Sequence, residues 1–179
     1  MQLSRRKFLQ FSTGGLVLSA FPSITFGAPE AKSRTLVLNH LHTGESLETC
    51  YFNGRSYDYG ELNKLNHLCR DFRRNEVFTM DKRLFDQIAR IQGVLGTQAE
   101  VDIISGYRSP ATNEMLRNRS SGVAKKSYHM TGQAIDFRLK GISLKKVRNA
   151  ARSIRAGGVG YYPNSNFVHI DTGPVRYWR

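Results

Sequence analysis

Cysteine is nearly absent. Cys50 and Cys69 are the only two among 179 residues, too few for a disulfide scaffold or a zinc finger. Acidic side chains are scarce as well: 14 Asp+Glu face 27 Lys+Arg, a formal net charge of +13. A balance this basic points to an anionic partner, whether nucleic acid, anionic lipid or an acidic polymer such as a cell wall. Charge alone does not choose among them, but no recognisable nucleic-acid-binding motif is present. Internal repeats and low-complexity segments are missing too. The apolar stretch near the N-terminus falls short of the roughly 20 residues of a membrane span. What remains is 40% hydrophobic and 11% aromatic, with the 23% of charged residues spread along the chain. That suffices for one packed core, is too little for two ordinary domains, and is not the composition of a disordered chain.

Residues 1–30 are laid out like an export signal. Arg5 and Arg6 stand in Ser4-Arg5-Arg6-Lys7-Phe8-Leu9, a moderately apolar stretch follows up to Phe21, and small residues around Gly27, Ala28 and Ala31 offer a cleavage region. The paired arginines resemble the twin-arginine (Tat) signal, which hands an already folded cargo to the Tat export machinery. The competing reading is a basic amphipathic N-terminal helix. Export implies a periplasmic location in a Gram-negative cell, with residues 31–179 as a single mature domain and no membrane span once the signal is removed. Residues 1–28 hold three basic residues and no acid, so the rest keeps 24 minus 14, or +10. The periplasm permits a Cys50–Cys69 disulfide; two separate buried thiols are the alternative.

Alternation and turn residues predict strands over 34–39 and 47–52, joined near Gly44. Leu62, Leu65, Leu68, Cys69 and Phe72 recur at helical spacing, predicting an amphipathic helix over 58–74. A second helix, capped by Asp81, carries Leu84, Phe85, Ile88, Ile91 and Leu95 and stops at Gly96. A strand over 101–104 precedes a short helix opened by Pro110. Residues 134–139 read as a strand with Ile135, Phe137 and Leu139 on its apolar side. Ser143 can cap a helix reaching about Arg155. Its Lys145, Lys146, Arg148, Arg152 and Arg155 form either a solvated face or a polyanion-binding one. Residues 158–162 and 166–171 look like a closing hairpin. Helices first and strands later argue for an α+β fold, a small antiparallel sheet flanked by helices.

Of the five histidines, His40, His42, His67, His129 and His169, His67 falls beside the apolar face of the first helix. His129 and His169 keep different company. His129 precedes Asp136 by seven residues with Gly132 between them, so a turn there can bring the ring back alongside the strand that carries the acid. An acid in an otherwise apolar strand is costly unless paired or metal-bound. His169, on a later strand, can complete a His/Asp/His set, and three protein ligands plus a water distinguish catalytic zinc from the closed structural kind. From spacing alone, a hydrogen-bonded surface pair explains His129 and Asp136 equally well.

The string Ser127-x-His129-x-x-Gly132-x-Ala134-x-Asp136 is preceded by Ser105-Gly-Tyr-Arg-Ser-Pro110 and followed by Phe167-Val-His-Ile-Asp171. Together these resemble the zinc D-alanyl-D-alanine peptidase superfamily, to which the hedgehog signalling domain also belongs. Leu41-His-Thr-Gly-Glu45, Ala124-Lys-Lys-Ser-Tyr-His129 and Gly157-Gly-Val-Gly-Tyr-Tyr162 look like the murein endopeptidase K family within it. The resemblance runs from about Arg34 to Trp178. It implies a zinc metallopeptidase with one Zn2+ per chain, held by His129, Asp136 and His169 on the sheet. It further implies Arg108 as a catalytic and substrate-facing group and Ser127 as a substrate hydrogen-bond donor; a structural salt bridge and turn support are the plainer readings of these two. The implied substrate is the stem peptide of peptidoglycan, cut at meso-diaminopimelate (3-3) or at 4-3 cross-links. Many relatives place a general base three or two residues before the last ligand, where this chain has Asn166 and Phe167. Asp171, which shares a strand face with His169, is then a base or an orienting group, and His42 is another candidate base. Three rivals remain: a D,D- or L,D-carboxypeptidase that trims stems, a non-catalytic zinc-containing wall-binding module, and a nucleic-acid binder.

Overall fold

The computed structural model describes residues 32–120 and 122–179. The export signal expected over 1–30 lies outside them. In chain order come β1 (Arg34–His40), β2 (Ser46–Phe52), α1 (Tyr59–Leu68), α2 (Arg83–Leu95), β3 (Val101–Ser105) and α3 (Pro110–Arg119). A single 3-10 turn, Tyr128–Thr131, leads into β4 (Ala134–Leu139), α4 (Leu144–Ser153), β5 (Gly158–Tyr162), β6 (Phe167–Asp171) and β7 (Arg176–Trp178). The α+β class holds, but the sheet is mixed rather than wholly antiparallel. Its seven strands run in the order β2-β1-β3-β4-β6-β5-β7, with β1 beside β3 and β5 beside β7 in parallel. Between β1 and β3 the chain passes through a hairpin strand and two helices, which is room enough to return in the same direction.

Several expected boundaries move. α1 ends at Leu68, with Cys69 as its cap, rather than continuing to 74, because residues 69–71 turn to dock on the loop after β3. The Cys69 carbonyl accepts from the Tyr107 amide at 2.7 Å, and the buried Asp71 carboxylate accepts from both the amide and hydroxyl of Ser109. Phe72 therefore leaves the helical stripe. The N-cap position of α2 falls on Lys82, one residue after the expected Asp81, yet Asp81 still accepts from the Arg83 amide at 3.0 Å; Gly96 ends the helix in the left-handed region. Ser109 caps α3 by accepting from Thr112. α4 stops at Ser153, and Ser143 precedes it without a side-chain capping bond. Both cysteines are free, Cys50 exposed and Cys69 buried, with burial pushing the Cys69 thiol up to about 12. Among the described residues no helix is long and apolar enough to cross a membrane.

One face of the sheet is covered by α2 and α4, which pack on each other and on β1, β4, β5 and β6. Phe85, Ile88, Ile91, Ile103, Ile135, Phe137, Val147, Val168 and Ile170 are all fully buried, each side chain contributing about 1.5–3 kcal/mol of apolar burial. β4 sits at the middle of the sheet. Strand alternation sends Ile135, Phe137 and Leu139 toward this core and Asp136 to the opposite face.

Gly132 closes the 3-10 turn with φ +65°, and a Cβ there would sit 2.4 Å from the Thr79 carbonyl oxygen. Its own carbonyl accepts from the Asp81 amide at 2.8 Å, so neither segment of the contact is free to retreat. Gly132→Ala is expected to destabilise the protein by about 2–4 kcal/mol, through left-handed strain plus overpacking. Urea denaturation measures this, and an unchanged midpoint would refute it.

Candidate metal centre

The antiparallel register of β4 and β6 sets Asp136 directly opposite His169. Neighbours of this kind have Cβ atoms about 4.5–5.5 Å apart. His129 arrives from the 3-10 turn, whose first residue is preceded by Ser127; the Ser127 hydroxyl accepts from the His129 amide at 3.3 Å. The three side chains converge on the sheet face away from the core. His169 Nδ1 lies 2.8 Å from Asp136 Oδ1, His129 Nε2 lies 3.3 Å from Asp136 Oδ2, and the two ring nitrogens lie 3.2 Å apart. One donor atom from each of the three falls within 4.8 Å of the others, and all three residues are buried.

The remaining ring nitrogens are held from behind. His129 Nδ1 is 2.7 Å from the Gly106 carbonyl, so it carries the proton and leaves Nε2 as a lone-pair donor. His169 Nε2 is 3.1 Å from Asp171 Oδ2, which leaves Nδ1 to face the centre. Two imidazoles steered by a carbonyl and a carboxylate, with a third acidic ligand between them, form a donor set that fits zinc.

The charges agree with this geometry. Burial pushes the Asp136 carboxyl up, but the coulombic and hydrogen-bonding pull of His129 and His169 outweighs it and holds the group far below the ordinary carboxylate range. Burial lowers His129 despite the adjacent acid. For His169 burial is overcome by carboxylates on both sides, Asp136 and Asp171, and its pKa rises.

Asp171 is fully buried and both of its oxygens are engaged. Oδ1 accepts from the amides of Gly158 and Gly173, while Arg176 grips both oxygens at 3.0 and 2.6 Å. It stands behind His169 and does not line the cleft. Arg108 does line it. Its Nη2 lies 3.8 Å from Asp136 Oδ2, its contacts to Asn113 and Ser105 are long at 3.4 and 3.5 Å, and its buried Nε has no partner. A guanidinium so underused has donors to spare for a ligand.

The donors lie in a cleft of about 630 Å³, also lined by Lys126, Ser127, Tyr128, Tyr162 and Trp178. Asp136 is the one carboxylate among the lining residues. Phe167 stacks on Tyr162 at 4.6 Å, and Asn166 lies exposed in the β5–β6 turn. His42 stacks on Phe72 at 4.7 Å and does not line the cleft. Sequence reasoning missed Arg176 and Trp178. The only signal for them was the brief alternation of Arg176-Tyr-Trp178, three residues that make β7.

A family model described as peptidoglycan L,D-endopeptidase MepK matches residues 28–178. The peptidoglycan L,D-endopeptidase MepK of Escherichia coli (strain K12) is 56% identical over 178 residues, covering 98% of this chain and 97% of the relative. The protein of that name from Shigella flexneri matches equally. A "Probable peptidoglycan L,D-endopeptidase MepK" of Haemophilus influenzae is 46% identical, covering 98% of this chain and 96% of the relative. No solved structure matches the chain.

Proposed function

The chain belongs to the peptidoglycan L,D-endopeptidase MepK family, and on that premise we propose that it is a zinc-dependent peptidoglycan endopeptidase of the periplasm. It cuts peptide cross-links, foremost the meso-diaminopimelate to meso-diaminopimelate (3-3) links, and so opens the wall for growth. The observation that carries the reading is the convergence of His129, Asp136 and His169 inside a cleft whose other charged lining residues are all basic. Stem peptides bear free carboxylates, which the cleft cations Arg108 and Lys126 attract. Residues 1–30 direct export through the Tat machinery, a role supported by the paired arginines ahead of a short apolar segment.

His129, Asp136 and His169 would hold the ion, which when bound supplies a Lewis acid that polarises the scissile carbonyl and acidifies a water. The chain's own groups do the rest. Arg108, fixed and permanently charged, offers its unpartnered N–H donors to the oxygen on which negative charge develops. Ser127 caps the start of the turn that carries His129 and, accepting there, keeps its hydroxyl proton free to donate to substrate. Asp171, clamped by Arg176, holds the His169 ring in its ligating orientation. Phe167 and Tyr162 exclude water from one wall of the cleft.

Two experiments test this. The zinc-loaded protein, with and without chelator, is given defined 3-3 and 4-3 cross-linked muropeptide dimers, and products are read by mass spectrometry. Chelator-sensitive conversion to monomers, faster for 3-3, is expected. Dimers that merely lose one terminal residue would make it a carboxypeptidase. One observation favours a second reading: no carboxylate other than Asp136 lines the cleft, so a zinc-containing module that binds wall without cutting it is the outcome if dimers survive intact. Separately, Asp171→Asn is expected to weaken zinc binding about 10–100-fold while leaving kcat at saturating zinc near the parent value. A lost acidic limb in the pH–rate profile at saturating zinc, with a fall in kcat, would instead make Asp171 the base.

A further inference from the structure

α4 is basic along its exposed side, yet two of its arginines do not simply reach into solvent. Arg148 and Arg152, one helical turn apart, sit over Tyr161 of β5 and Tyr177 of β7, their Cζ atoms 4.7 and 4.5 Å from the ring centroids. The Tyr177 hydroxyl closes the arrangement by donating to the Arg152 carbonyl at 3.1 Å. A guanidinium stacked on a ring is immobilised while its N–H edge stays open to a planar anion. Arg148 spends part of that edge on Asn149, and Arg152 forms no ion pair.

Charge pairing is uneven over the described residues, and cations without a carboxylate partner, such as Lys82, Arg90, Arg117 and Lys126, are scattered elsewhere but gathered on one helix here. Arg34, Lys64, Arg70, Arg74, Arg83, Arg138, Lys140 and Arg176 each contact a carboxylate elsewhere in the protein. Among the described residues, none of Lys145, Lys146, Arg148, Arg152, Arg155 and Arg179 does, and α4 itself contains no acid. The stacked pairs border a groove of about 340 Å³ whose wall also includes Arg179 and Trp178. Trp178 lines the metal-centre cleft as well. The two recesses therefore meet at the β7 edge, one on each face of the sheet.

We propose that this groove is a second binding site for the wall polymer, taking free carboxylates of a neighbouring stretch of the same peptidoglycan while a cross-link occupies the cleft. It rests on the peptidoglycan reading above. A substrate that is a network presents many stems at once. A concave, arginine-lined recess joined to the cleft by one tryptophan suits a chain that wraps the sheet edge. Lipid docking would call for a protruding apolar face beside the cations, whereas here the guanidiniums cover the rings.

The test separates binding from cutting. Co-sedimentation of the full protein with purified sacculi is measured in chelator, so that wall stays intact, and cleavage of soluble dimers is measured with zinc. Arg148→Gln/Arg152→Gln is expected to bind sacculi about tenfold more weakly, the scale of losing two charge-assisted contacts, with dimer cleavage unchanged. Lys145→Gln/Lys146→Gln removes the same charge from the same helix outside the groove and is expected to bind within about twofold of the parent. Arg148→Lys/Arg152→Lys, which keeps the charge but not the fork, guards against misfolding and should show an intermediate loss. Parent-like binding by the arginine variant, an equal loss in the lysine variant, or a matching fall in dimer cleavage would each overturn the proposal. So would a loss confined to vesicles of phosphatidylglycerol and phosphatidylethanolamine. A parent protein that binds sacculi but cuts no dimer sinks the endopeptidase reading instead, with the groove still judged by binding.

Discussion

Replacing Asp136 with Ala is expected to reduce kcat/KM on cross-linked dimers by about 10³-fold or more, the scale of removing metal-ion electrostatics from a peptide-hydrolysing site. The carboxylate supplies the one negative charge among three converging donors, and each histidine leans on it, His169 at 2.8 Å and His129 at 3.3 Å. Its loss leaves two neutral imidazoles facing a guanidinium, a poor cradle for a cation. The same variant should retain less than about a tenth of the parent's bound zinc when dialysed against a weak chelator. Far-ultraviolet circular dichroism should be unchanged, because the apolar side of β4 does not involve Asp136. His169→Ala should behave alike. Full activity in either variant would remove these residues from the site.

Arg108→Ala is the second large effect. A donor aimed at developing negative charge is typically worth about 10²–10³ in kcat, and the loss should fall on kcat far more than on KM. Arg108→Lys should recover only part of it, because an ammonium cannot present the same two-pronged edge. A variant whose KM rises while kcat stays constant would reassign Arg108 to ground-state capture of a stem carboxylate.

How much of this could be read from the sequence differs from residue to residue. The strand over 134–139 was legible because alternation, Gly132 and the buried acid all point to one arrangement. The grouping of His129, Asp136 and His169 was legible only through motif resemblance, since a spacing of seven residues has many explanations. The end of α1 was not legible: Leu62, Leu65, Leu68, Cys69 and Phe72 continue the helical period, and what stops the helix is a tertiary contact between residues 69–71 and 106–109. The parallel pairs of the sheet were hidden for the same reason, since strand direction depends on where a connection returns. The role of Asp171 turns on Arg176, which sits on a three-residue strand too short to carry a pattern. Residues that act through others, rather than on substrate, leave the faintest trace in a single sequence.

Two of the three candidate donors, Asp136 and His169, stand on β4 and β6, and that placement bears on when the proposed metal could be taken up. These are the middle strands, backed by Ile135, Phe137, Val168 and Ile170, all fully buried. Backbone amides there should exchange with solvent deuterium only through global unfolding, not through local fraying. The geometry of these two donors is then a property of the folded sheet and does not wait for an ion to assemble it, in contrast to small domains that fold only around zinc. Under the proposed function, folding and metallation would then be separable in time, and a chain folded in one compartment could take up its ion in another.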